Sequence, residues 1–101
     1  MSTEYRPASM IDFQCLFSPR CLSSMGLTES INAATSQDSR CLTDGTDYLW
    51  AYKDSTGCAL FSRYGKNNPE QIIIAIQSEF GVEIISDQDE RYFDMLGDEE
   101  G

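Results

Sequence analysis

The 101-residue chain contains no histidine. That absence removes the Ser-His-Asp and Cys-His schemes of nucleophilic catalysis and any imidazole base. Its four cysteines, Cys15, Cys21, Cys41 and Cys58, show no CxxC spacing, so no zinc site or other metal centre is expected. Lys and Arg number only 7 against 17 Asp and Glu, for a net charge of −10. So acidic a chain is not drawn to nucleic acid or to an anionic membrane surface by general electrostatics. No apolar run approaches the roughly 20 residues needed to cross a bilayer. Phosphate loops of the GxxxxGK[ST] or GxGxxG type are missing, and no cofactor is expected.

The stretch Met1–Arg6 has no basic segment leading into an apolar one, so an unprocessed, cytoplasmic chain is expected. In that compartment the cysteines are expected to be reduced and packed as small hydrophobes. Arg20 beside Cys21 and Arg40 beside Cys41 are the only local cations that could activate a thiol. Sequence neighbours often point apart, and core packing is the expectation for both thiols. The TDGTD segment lacks the alternating oxygen ligands and distant glutamate of a calcium loop. A turn explains it more simply.

What is present favours one packed domain. Apolar residues make up 41% of the chain and aromatics 11%, enough for a thin core and against global disorder. Residues 1–9 read as a flexible lead-in, 10–96 as a globular body and 97–101 as a loose acidic tail. In "MIDFQCLF", Ile11, Phe13, Cys15 and Phe17 alternate with more polar neighbours, which predicts a half-buried strand. A short helix is the rival there, because Met10, Phe13, Gln14 and Phe17 also share a helical face. Pro19 and the serines around it are expected to break this element. A short helix from Thr28 to Ala34, with Leu27 and Ile31 inward, and a short strand ending at Leu42 come next.

The clearest segment is "DYLWAYKDSTGCALFSRYG". Two β-prone runs flank Asp54-Ser55-Thr56-Gly57, where Asp opens a turn and Gly takes the left-handed position. That register sets Tyr52 opposite Leu60, Trp50 opposite Ser62 and Tyr48 opposite Tyr64. One face is then aromatic, and the other carries Leu49, Ala51, Ala59 and Phe61. A helix follows over 68–80, with Asn68 as N-cap, Pro69 at N1 and Gln71 closing a capping box. Ile72, Ile73, Ile76 and Phe80 form its apolar stripe, and Gly81 stops it. The strand "VEIIS" comes straight after. The predicted fold is α+β: a single small domain, with an antiparallel sheet containing a β-hairpin and covered by one principal helix.

Charge is distributed unevenly. Residues 1–78 carry 8 acids and 6 bases; residues 79–101 carry 9 acids against Arg91 alone, a net of −8. Residues 87–94 are expected to continue the last strand into a turn or short helix, anchored by Tyr92 and Phe93. Glu83, Asp87, Asp89, Glu90 and Asp94 would then line a fixed acidic edge. Duplex DNA presents one charge per roughly 1.7 Å of its axis, and carboxylates along an edge can imitate such a run. The expected function is a non-enzymatic inhibitor that occupies the positive surface of a basic partner, a nucleic-acid-binding protein. In size and charge the chain resembles phage-encoded inhibitors of bacterial defence, anti-CRISPR proteins among them, with no motif tying it to one family. The alternatives are an immunity protein or antitoxin against a cationic toxin, a regulatory interaction module, and a motifless enzyme. The aromatic face of Tyr48, Trp50, Tyr52 and Tyr64 is the second candidate for a protein-binding surface.

Overall fold

The computed structural model describes residues 2–30 and 39–97. The described residues form six strands and four helices: β1 (Ser2–Pro7), α1 (Phe13–Leu16), α2 (Pro19–Met25), β2 (Thr28–Glu29), β3 (Ser39–Thr43), β4 (Tyr48–Lys53), β5 (Ala59–Tyr64), α3 (Glu70–Phe80), β6 (Ile84–Ser86) and α4 (Glu90–Gly97). The strands form one antiparallel sheet in the order β2-β3-β4-β5-β1-β6. This is the predicted α+β architecture.

The central hairpin has the expected register, with Trp50 opposite Ser62, Ala51 opposite Phe61 and Tyr52 opposite Leu60. Its turn is organised by one carboxylate. Asp54 Oδ1 accepts from the Thr56 N–H (2.8 Å), the Thr56 hydroxyl (2.7 Å) and the Cys58 N–H (2.9 Å). Gly57 sits at φ +90°, where a side chain would be strained. Leu49, Ala51, Ala59 and Phe61 are fully buried on one face of the sheet. Against them pack Phe13 and Leu16 of α1 and Ile72 and Ile76 of α3. Each isoleucine of that pair contributes roughly 1.5–3 kcal/mol of burial.

The expected start of α3 is corrected by one residue: Pro69, not Asn68, is the cap residue, with Glu70 the first helical one, because the proline backbone lies outside the helical turn. Asn68 Oδ1 accepts from the Glu70 N–H at 3.2 Å, and Gly81 ends the helix at φ +64°. The expected reciprocal bond from Gln71 is replaced: the Asn68 N–H donates instead to Asp47 Oδ1 at 3.1 Å. A loop residue after β3 therefore does what the capping box would have done locally.

Three expectations near the N-terminus are corrected. Residues 2–7 are not a flexible lead-in. They form β1, inserted between β5 and β6, with Thr3 and Pro7 buried on the helix-covered face. Residues 13–16 take the rival helical form rather than the extended one. Asp12 caps them by accepting from the Cys15 N–H at 2.9 Å, and Phe13, Leu16 and Phe17 are buried while Cys15 is exposed. Period two would have placed Cys15 inward. Pro19 starts an element rather than breaking one: Ser18 Oγ accepts from the Cys21 N–H at 3.2 Å, and Pro19 occupies the first turn of α2. The predicted helix from Thr28 is also corrected, since Thr28 and Glu29 pair with β3. Its remainder, Ile31–Ala34, lies outside the described residues. Leu42 lies within β3 and is fully buried.

Candidate functional site

The β6–α4 region carries the predicted acidic edge. After Ser86 the chain turns, and the Asp89 N–H donates to the Ser86 carbonyl at 3.0 Å. Asp89 Oδ1 accepts from the Arg91 N–H at 2.9 Å and so starts α4. The continuation of the last strand through a turn into a short helix is thus present.

The five carboxylates are not equivalent. Arg91 donates to both oxygens of Glu83 (3.1 and 2.8 Å) and to Asp89 (2.8 Å at the closest). These contacts hold the Asp89 carboxyl below its ordinary range and raise the Arg91 guanidinium. Asp87 is half-buried, and its Oδ2 accepts from the Glu4 N–H at 3.2 Å. It is a fastener between α4's turn and β1. Glu90 and Asp94 are exposed, and among the described residues neither pairs with a cation. Two of the five predicted positions are therefore unencumbered charge.

The predicted anchors also divide. Tyr92 is half-buried, with Arg6 5.9 Å from its ring centroid, and burial is the main cause of its raised phenol pKa. Phe93 is 59% exposed and touches Tyr92 edge-on, so it is no anchor on the body. Asp98, Glu99 and Glu100 of the expected tail lie outside the described residues.

A second surface lies on the sheet face opposite the α1–α3 core. Residues directly opposite in an antiparallel pair share a face. Cys41, Trp50, Ser62 and Glu4 therefore form one row across β3, β4, β5 and β1. Alternation puts Tyr48, Tyr52, Tyr64 and Arg6 on that same face. Tyr48 is 39% exposed and Tyr64 43%. Ring centroids lie 6.0 Å apart for Tyr48–Trp50 and 5.2 Å for Trp50–Tyr64, the latter edge-to-face. The Tyr52 and Tyr64 hydroxyls are hydrogen-bonded to each other. Burial pushes the Tyr52 phenol up to about 12, with the Tyr64 hydroxyl adding to the shift. Neither Glu4 nor Arg6 was singled out by sequence. The alternation of Thr3, Tyr5 and Pro7 was the available signal.

The two buried thiols, Cys21 and Cys41, sit in unreactive surroundings. Burial raises Cys21, and it pushes Cys41 up to about 11. Arg40 does not activate Cys41. It shares a face with Ala51, bonds both oxygens of Glu29 (2.7 and 2.5 Å) and lies 4.3 Å from the Phe17 ring centroid. All four cysteines are unpaired, and among the described residues no three Cys, Asp or Glu side chains gather as a metal would require. A polar cleft of about 400 Å³ opens between β1 and the start of α3, beside Tyr5, Arg63 and Glu70. Its guanidinium is already engaged by the Asn67 carbonyl (3.0 Å) and the Thr3 hydroxyl (3.2 Å). Among the described residues no helix is long and apolar enough to cross a membrane. No protein-family model, curated protein or solved structure matches this chain.

Proposed function

We propose that this protein is a non-enzymatic acidic inhibitor that occupies the positive surface of a basic, nucleic-acid-handling partner. The observation that carries the reading is the charge asymmetry: a net of −8 over residues 79–101 against −2 over the rest. Its geometry supports a fixed rather than a floating charge. Asp87 ties the segment to β1, Tyr92 rests on Arg6, and α4 then presents Glu90 and Asp94 to solvent. A basic groove built for phosphates would attract such a surface, speed its association and lose affinity for it as salt rises.

The test is capture of the basic partner on immobilised protein, then affinity at low and moderate salt. Parent binding is expected to weaken with salt. Glu90→Lys/Asp94→Lys is expected to lose both affinity and most of that salt dependence. Neutralising Asp98, Glu99 and Glu100 is expected to cost less. A captured partner that is acidic, or an unchanged affinity in the Glu90/Asp94 variant, would rule the acidic edge out as the interface.

A further inference from the structure

We infer that the outer aromatic face of the sheet is the second half of the partner interface, and that it receives arginine side chains. The inference rests on the proposed basic partner and names which cation of that partner is recognised.

The face is built for a planar cation. Tyr48, Trp50 and Tyr64 form a continuous row of rings, and the two tyrosines at its ends are substantially exposed. Ring faces attract guanidinium more often than ammonium, because guanidinium is planar and weakly hydrated. The chain's own cation on this face does not fill the row, since Arg6 lies against Tyr92 at the α4 end.

Charge selects the occupant. Tyr64 lies opposite Ser2, and Glu4, two residues along β1 on the same face, is therefore its diagonal neighbour. The Glu4 backbone is bonded at both ends to Asp87, through Oδ2 (3.2 Å) and the Asp87 N–H (2.9 Å). The rings thus run directly into the acidic segment, and an arginine stacked on Tyr64 would lie near the Glu4 carboxylate. A second copy of the chain would set like charges against one another across this face, with a net charge of −10 on each. Nucleic acid, whose bases also stack on aromatic rings, brings phosphates that the same charge repels. An arginine-bearing protein segment satisfies both the rings and the carboxylates.

Trp50 is the sole tryptophan, so its emission reports this face alone. The experiment titrates the full chain with deca-arginine and with deca-lysine at matched ionic strength. Deca-arginine is expected to change Trp50 emission and to bind about five-fold more tightly than deca-lysine, the scale of one exposed cation–ring contact. Tyr48→Leu/Tyr64→Leu keeps apolar bulk while removing the two exposed rings at the ends of the row, and is expected to bring the two affinities closer together mainly by weakening deca-arginine. Tyr48→Leu alone, which keeps the Tyr52–Tyr64 hydrogen bond, is the companion should the double variant unfold; it is expected to narrow the same ratio. Equal, salt-sensitive binding of both peptides by the parent would overturn the aromatic site and leave the acidic edge standing. An arginine preference undiminished in the leucine variants would also overturn it. If neither peptide binds, both readings fall.

Discussion

Arg91 reaches back across the β6–α4 turn to Glu83 and holds both of its carboxylate oxygens, at 3.1 and 2.8 Å. The only base in the last 23 residues is thus spent on internal contacts with Glu83 and Asp89. It mutes two of the nine acids in that segment and leaves the outward charge to others.

Replacing Arg91 tests that arrangement. The ion pairs are solvent-exposed, and exposed pairs contribute little to stability. Arg91→Gln is therefore expected to melt close to the parent. Its association rate with the basic partner is expected to rise at low salt and converge with the parent at high salt. Stopped-flow mixing at two ionic strengths measures this. A slower rate would mean that Arg91 positions the edge rather than muting it.

The α3 stripe gives a packing test with an internal control. Ile76 is fully buried and Ile74, on the same helix, is 47% exposed. Ile76→Ala is expected to cost about 2–5 kcal/mol. Ile74→Ala is expected to stay within about 0.5 kcal/mol, as surface changes do. Denaturant melts of the two variants decide, and a large loss at Ile74 would mean that the outer face of α3 is covered in solution.

Asp54 links stability to pH. Bonds from the Thr56 side chain, and then from the Cys58 and Thr56 N–H groups, hold its carboxyl below the ordinary value of 3.8. A depressed folded value means the contribution is fully present above the unfolded pKa and is lost as pH falls through the folded one. Asp54→Ala is expected to cost about 1–2 kcal/mol at neutral pH, the scale of a lost capping carboxylate. That difference should shrink steadily below about pH 4. Urea melts between pH 2 and 7 measure it, and a gap that is constant across the range would contradict the assignment.

The cysteines should react in order of exposure. Cys15 is exposed, Cys58 half-buried, and Cys21 and Cys41 are buried. Alkylation of the native protein followed by mass spectrometry is expected to label Cys15 first. Cys41, with its thiol pushed up to about 11 by burial, is expected to label last and only as the fold opens. Early labelling of Cys41 would show that β3 opens without the rest of the sheet.

Local chemistry was legible wherever neighbouring residues decide the outcome. Asp54 and Gly57 specified the hairpin turn, and alternation along 48–52 and 59–64 set its register and its two faces. The isoleucine stripe and Gly81 marked α3, and Asn68 marked its start to within one residue. The rule is equally local at Ser18-Pro19, where the N-cap pair announces α2, although a proline among serines equally fits a break.

The candidate surfaces were legible only in part, because side-chain partners are set by distant segments. Counting charge along the chain located the excess acid in residues 79–101, and alternation put the aromatics on one hairpin face. Only tertiary structure decided that β1 inserts between β5 and β6, since strand pairing across some 60 residues leaves no local signature. That insertion brings Glu4 beside the aromatic row and gives Asp87 a backbone N–H to hold. It also puts Arg6 under Tyr92 and leaves Phe93 outside. The sequence by itself therefore determined how much charge and aromatic surface the protein has. The fold determined which carboxylates remain unpaired and that the two surfaces meet, because an ion pair depends on distance in space rather than along the chain.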